Sequence, residues 1–333
     1  MIVASALVVI VTGIGAWYFV GRVECIAWEK QHLPGIEAGK QYLYVAMGEC
    51  DSVLAIDPNT QTVAAYTSLE GRFPHGLIYD PGRNSVYVVN EKSDDMTVLG
   101  LPEFSPRARV EVGDFPVDVI LMSDSILVTN YSGDSVSVVD PVTLKLVREL
   151  DSEAATHFAL SPDGKYSYLS NWSDDTVSVL DAGLRAVVAV IDTGKRPNHL
   201  TFSRDGNFVY VTNYQGDSVT VIDHRARRAI AEIPVGKRPM TPITTADRLY
   251  VSNIESGTIS VIDIDSNQVL TEIITGGNPQ HMAIMGKLLY VTNPDLEQIQ
   301  VIDLSQKQVV GNIFTGPSPQ QISPRYLNQF PSY

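Results

Sequence analysis

Between residues 41 and 323 the chain alternates apolar and polar positions in short runs and nowhere holds a helical spacing for ten residues. Within 194–236, HLTFS (199–203) is followed by the turn RDGN, then FVYVTN (208–213), the loop YQGD and SVTVID (218–223). A turn at HRAR leads to AIAEIPV (229–235), after which GKRP opens the next unit. Alternating Val, Ile, Tyr and Thr suit a half-buried pleated surface, while the Asp-Gly-type dipeptides between them suit tight turns. Each unit therefore predicts four short strands.

The unit repeats. FVYVTNYQGDSVTVID (208–223) has counterparts beginning at Tyr44, Tyr87, Leu127, Tyr168, Tyr250 and Tyr290. Their fourth positions are Met47, Asn90, Asn130, Asn171, Asn213, Asn253 and Asn293, spaced by 43, 40, 41, 42, 40 and 40 residues. Four strands per ~40 residues is the period of a propeller blade, and seven copies predict an all-β, seven-bladed β-propeller with four-stranded blades. The chain enters at QYLYVAM (41–47), a second strand, and leaves at GPSPQQISPRYLN (316–328), which aligns with the first-strand segment 194–207. The strand around 319–323 is thus expected to pair with 42–47 and close the ring with both termini, removing free strand edges.

Y-V-T-N followed by S-V-x-V-I-D, with G-x-x-P before the first strand, resembles the YVTN family of β-propeller repeats of archaeal surface-layer and bacterial periplasmic proteins. The resemblance spans about 41–323 and departs from the pattern at Met47 and Gly100. It implies an extracytoplasmic domain and names no activity, because propellers host many unrelated functions.

The N-terminus is a different kind of sequence. Met1–Gly21 carries no charged side chain, Arg22 is the first, and Trp17 and Tyr18 sit where an interfacial aromatic belt would lie. About 20 helical residues span a bilayer core. A cleaved signal peptide would want a basic start and a small-x-small cleavage site. The length fits an uncleaved anchor better. The expected organisation is a transmembrane signal anchor at 1–21, a tether at 22–40, the propeller at 41–325 and a tail at 326–333. Cys25 in the tether and Cys50 in the first repeat could pair as a disulfide in an oxidising compartment, or stay as two thiols.

The 333 residues carry 38 Asp and Glu against 24 Lys and Arg, a formal charge of −14. That balance argues against nucleic acid as a partner, and leaves the membrane, through the N-terminal helix, and protein partners in membrane or envelope. There is no G-x-S-x-G, H-E-x-x-H, C-x-x-C-H or phosphate-binding glycine loop. Candidate chemistry gathers instead on one predicted face, where the loops entering first strands and those joining second to third strands emerge. His75, Asp118, His157, His199 and His281 fall at or beside the channel mouth. Imidazoles there could ligate copper, zinc or iron, or pack and hydrogen-bond to loop carbonyls. Because His281 lies two blades beyond His199, one metal site need not unite them.

Tyr131, Trp172 and Tyr214 follow the repeat Asn in three successive blades, suited to stacking on a sugar or apolar ligand, or to packing between blades. Lys195, Arg196, Lys237 and Arg238 from the G-K-R-P loops would draw acidic partners. Asp94, Asp95, Asp134, Asp174, Asp175, Asp217, Glu255, Asp295 and Glu297 lie among them as weak Ca²⁺ donors or a solvated rim. These features favour a membrane-anchored binding or scaffold module over an enzyme. The alternatives are a copper- or iron-binding redox propeller and a glycan-binding surface protein.

Overall fold

The computed structural model describes residues 31–122, 124–152, 155–181 and 186–323, together with Cys25 and Trp28. The expected transmembrane anchor and the 326–333 tail lie outside these residues. Among the described residues no helix is long and apolar enough to cross a membrane.

Seven four-stranded antiparallel sheets form the ring. The fifth blade shows the plan: β16 (Pro197–Phe202) lines the channel, followed outward by β17 (Phe208–Asn213), β18 (Ser218–Asp223) and β19 (Arg228–Pro234). Six blades are built in this chain order. The first blade is composite: β28 (Pro319–Ser323) pairs with β1 (Leu43–Met47), then come β2 (Ser52–Asp57) and β3 (Thr62–Ser68). Tyr44 faces Ser323 and Val45 faces Ile322 across that seam, so both ends of the chain close the ring as expected.

Each letter of the repeat has a physical task. The Tyr and Val side chains fill the cores between sheets; Tyr87, Tyr168, Tyr210 and Tyr290 are almost fully buried. A buried tyrosine needs a partner for its hydroxyl, and Tyr290 donates to the Pro58 carbonyl of the neighbouring blade at 3.2 Å. The Thr or Ser hydroxyl crosses to the next blade: Thr129 donates to the Thr156 carbonyl at 2.7 Å, Thr212 to Met240 at 2.6 Å and Ser252 to Gln280 at 2.7 Å. The Asn sits inside its own blade. The Asn213 Nδ2 donates to the Ser218 and Thr220 hydroxyls, both at 2.9 Å, which pins the turn between β17 and β18. Outermost strands such as β19 expose most of their positions, whereas β17 and β18 are buried nearly throughout.

Residues 22–40 read from sequence as a tether. The described part of that segment is instead a strap on the outer edge of the first blade. Trp28 and Leu33 pack on the core shared by the first and seventh blades, and Ile36 on the core shared by the first and second. The Gly35 N–H donates to the Ala64 carbonyl of β3 at 2.8 Å, and Lys40 pairs with Asp57 at 2.8 Å. No periodicity announced this because the strap adds single apolar residues to a finished edge rather than forming an element. Cys25 and Cys50 are joined by a disulfide, with Cα atoms 5.6 Å apart. Closing a loop of this length stabilises a fold by about 3 kcal/mol in the chain-entropy account.

Candidate functional site

The loops that carry the candidate residues are held by three local devices. The first is the repeat Asn just described, whose amide lies against the glycine of the adjoining G-x-x-P loop. A Cβ on Gly194 would fall 2.4 Å from the Asn213 Nδ2, and one on Gly113 would fall 2.5 Å from the Asn130 Nδ2. At Gly194 and Gly113 the glycine is therefore required by close approach, whereas Gly276 and Gly316, with φ of 69° and 87°, are required by turn conformation.

The second is a left-handed residue before the proline. Phe73, Phe115, Arg196 and Arg238 have φ of 57°, 58°, 56° and 50°, which turns their side chains outward at some backbone cost. The third offsets that cost. An aspartate from the preceding blade accepts the N–H of each: Asp51 that of Phe73 at 2.7 Å, Asp94 that of Phe115 at 2.9 Å, Asp175 that of Arg196 at 2.7 Å and Asp217 that of Arg238 at 2.9 Å. Asp94, Asp175 and Asp217 looked like a solvated rim or cation donors in the sequence, and Asp51 was not singled out. All four are latches between blades.

On this scaffold the rim carries cations laid over aromatic rings. The Arg196 guanidinium lies 5.8 Å from the Trp172 ring centre, and that of Arg238 lies 5.7 Å from the Tyr214 ring. Trp172 and Tyr214, from successive blades, are themselves 5.2 Å apart. The Tyr131 ring sits 6.1 Å from Phe115, and the Lys92 ammonium is 3.9 Å from the Phe73 ring centre. All three aromatics of the run are half-buried, while Lys195, Lys237 and Arg238 are exposed. Each exposed cation–aromatic contact is worth about 0.5–1 kcal/mol, enough to set the direction of a flexible arm. The sequence showed the run and the basic pairs separately; only the left-handed turn superimposes one on the other.

Inside the rim the histidines meet. The His157 and His199 rings stack with centroids 3.5 Å apart, His199 lies 5.1 Å from His281, and His281 lies 5.9 Å from His75. The row crosses four blades because these positions all start channel-lining strands, and the narrow mouth brings non-adjacent blades together. Sequence spacing gave no reason to expect that union. His75 is half-buried, and its Nδ1 faces the Val117 carbonyl at 2.9 Å. The carbonyl can only accept, so Nδ1 carries the proton and the lone pair of the neutral ring lies on Nε2.

Asp118 is fully buried beside this row. Its carboxylate accepts from the Gln321 amide and from the Phe158 N–H, both at 3.3 Å. Glu91 occupies in the second blade the position filled by aromatics in the next three, and sequence reasoning passed over it. Burial raises its carboxyl above the ordinary value, with His75 and Lys92 pulling it partly back. Its place directly after Asn90 was the available signal.

A family model, the Cytochrome D1 heme domain, matches residues 122–249, well under half of the chain. No curated protein matches the chain. Among solved structures, a functionally unknown protein from Desulfotomaculum acetoxidans is 16% identical, with TM-score 0.73 over 85% of this chain and 98% of that one. The periplasmic gluconolactonase PpgL of Pseudomonas aeruginosa is 20% identical, with TM-score 0.71 over 85% and 98%. Dihydro-heme d1 dehydrogenase NirN is 18% identical, with TM-score 0.68 over 86% of this chain and 66% of that one. These likenesses, together with the family match, place the chain among β-propeller proteins.

A haem does not fit this mouth as it stands. His157, His199 and His281 are at most 5% exposed, and their rings pack against one another instead of presenting an open imidazole face. Among the described residues no group of three or more His, Cys, Asp or Glu side chains is arranged to hold a metal ion.

Proposed function

We propose that this chain is a membrane-anchored, extracytoplasmic YVTN-type propeller that works as a binding module, with the cation-bearing rim as its working surface and an acidic protein segment as its ligand. The observation that carries the reading is the superposition of Arg196 on Trp172 and Arg238 on Tyr214. Two guanidinium arms are aimed by ring faces, flanked by the exposed Lys195 and Lys237, on a chain whose formal charge is −14. Concentrated positive charge on an otherwise acidic protein steers and selects an acidic partner. Arg238 also lies 3.1 Å from Glu255, but both side chains are about half exposed, so a ligand carboxylate can exchange for that one at little cost. The uncharged Met1–Gly21 run and the YVTN pattern support the anchored, extracytoplasmic setting.

The test is binding of a fluorescent oligoglutamate peptide to the full chain. Binding that weakens with salt and falls at least tenfold in Lys195→Glu/Lys237→Glu is expected. An unchanged affinity in that variant overturns the reading, and binding of a neutral oligosaccharide in place of the peptide, lost in Trp172→Ala, would replace it with glycan recognition.

A further inference from the structure

The strap begins on the rim side of the first blade. Cys50 lies in the short turn Gly48–Cys50 that joins β1 to β2. That turn belongs to the rim: the Gly48 N–H donates to the Ser318 carbonyl at 3.0 Å, and Asp51 is the latch on Phe73. Cys25, bonded to Cys50, is therefore fixed on the mouth side of the ring. From there the strap descends the outer edge of the first blade, touches Ala64 at Gly35, and reaches the opposite side at Lys40, whose partner Asp57 ends β2.

Only residues 22–24 separate Cys25 from the uncharged Met1–Gly21 run. Four peptide units reach at most about 14 Å. A six-residue strand, by contrast, holds the two faces of a blade about 20 Å apart. A membrane anchor at 1–21 can thus bring the rim to the bilayer surface, and cannot bring the opposite face there without carrying the rim past it.

Resting on the anchored binding module proposed above, we infer that the rim is the membrane-facing side of the propeller, and that its occupant is an acidic extracytoplasmic segment of a membrane-embedded protein. Lipid headgroups are the poorer occupant. The rim's cations are interleaved with exposed Asp94, Asp114, Asp134 and Asp174, and the whole chain is acidic, so an anionic lipid surface meets repulsion alongside attraction. A short acidic segment can engage the Lys195–Arg196 and Lys237–Arg238 pairs without covering those aspartates.

The orientation is tested in the full chain reconstituted into phosphatidylcholine vesicles, with a thiol-reactive fluorophore on Ser132→Cys at the rim or Arg225→Cys on the opposite face, and a nitroxide on the lipid headgroup as quencher. The native cysteines are bonded to each other and leave the new thiol as the labelling site. Quenching is expected to be several-fold stronger at Ser132→Cys, and the contrast to shrink when Cys25→Ser and Cys50→Ser release the strap. Equal or reversed quenching in chains that float with the vesicles overturns the orientation alone. Chains that do not float overturn the anchor and the orientation with it. Quenching at Ser132→Cys that requires anionic lipid makes headgroups the occupant and overturns the protein-segment assignment. For that assignment, an oligoglutamate peptide displayed on the vesicles through a lipid tail is expected to bind the chain and to lose at least tenfold with Lys195→Glu/Lys237→Glu; no such loss overturns it.

Discussion

The pairing of each repeat Asn with the glycine of its incoming loop makes a quantitative prediction at Asn213 and Gly194. Asn213→Ala removes two Nδ2–H donations, to Ser218 and Thr220, both 2.9 Å long and buried. Each is worth about 1 kcal/mol, and the Thr220 hydroxyl also loses the Asn213 Oδ1 to which it donates at 3.3 Å, giving about 3 kcal/mol in all. Gly194→Ala alone places a methyl 2.4 Å from Nδ2 and 2.6 Å from Cγ of Asn213, a clash the loop relieves only by moving. Overpacking of this kind costs about 1–3 kcal/mol. In the Asn213→Ala background those two contacts vanish and only the Asn213 Cβ, at 3.0 Å, remains near. The second change should then cost much less than it does alone, so the double-mutant cycle should show coupling of at least about 1 kcal/mol. Urea unfolding of the four proteins, followed by tryptophan emission and by circular dichroism, measures it; the two signals must coincide for the arithmetic to hold. Strict additivity would mean that the glycine is present for another reason and that the hub is misread.

Three further outcomes follow from the same structure. Deleting residues 317–333 removes β28 and bares the inner edge of β1, which should aggregate; a soluble truncation that melts cooperatively would refute closure by both termini. His224 is held below the ordinary histidine value of 6.5, mainly by burial, with Arg227 and Arg225 acting the same way against Asp163 and Asp223. A depressed value favours the neutral ring, so stability present above pH 6.5 should be lost as the pH falls towards the folded value. A His224→Gln chain should show a smaller drop in melting temperature between pH 7 and pH 5.5, and an unchanged drop would exclude the Tyr168–His224 contact as its source. Elemental analysis of chain purified without chelator should find less than one metal per molecule; one copper or iron per chain, lost in His199→Ala, would turn the histidine row into a metal site.

The blade count, the strand limits and the seam were legible because each rests on periodicity, which the chain states seven times. Of the strands read from sequence, 208–213 and 218–223 match the observed limits at both ends, and 199–203 and 229–235 differ by one or two residues. The site was legible only as a set of positions. His75 and His281 belong to blades far apart in sequence, and what joins them is the convergence of strands at the mouth, a property of the closed ring and of no single repeat. Likewise, nothing in G-K-R-P says that Arg196 takes a left-handed conformation or that Asp175 of the preceding blade captures its N–H. The strap was invisible for the opposite reason: Trp28, Leu33 and Ile36 have no period at all, and only the finished edge of the first blade gives them a place to pack.

Those constraints also separate fold from function at the rim. The Asn, the glycine and the latching aspartate are explained by hydrogen bonds and close approach within the scaffold. The residue directly after the Asn is not: its N–H is used, as when the Tyr214 N–H donates to the Arg196 carbonyl at 2.9 Å, but its side chain differs from blade to blade. At that position the chain places Gly48, Glu91, Tyr131, Trp172, Tyr214, Ile254 and Pro294 in turn. That position, filled with aromatics on one arc and a half-buried acid near His75 on another, divides the rim into two chemistries. The arc from Tyr131 to Tyr214, with the basic pairs above it, is suited to hold an acidic chain from outside. The Glu91–His75 side instead borders the histidine row, where the rings contact one another between blades.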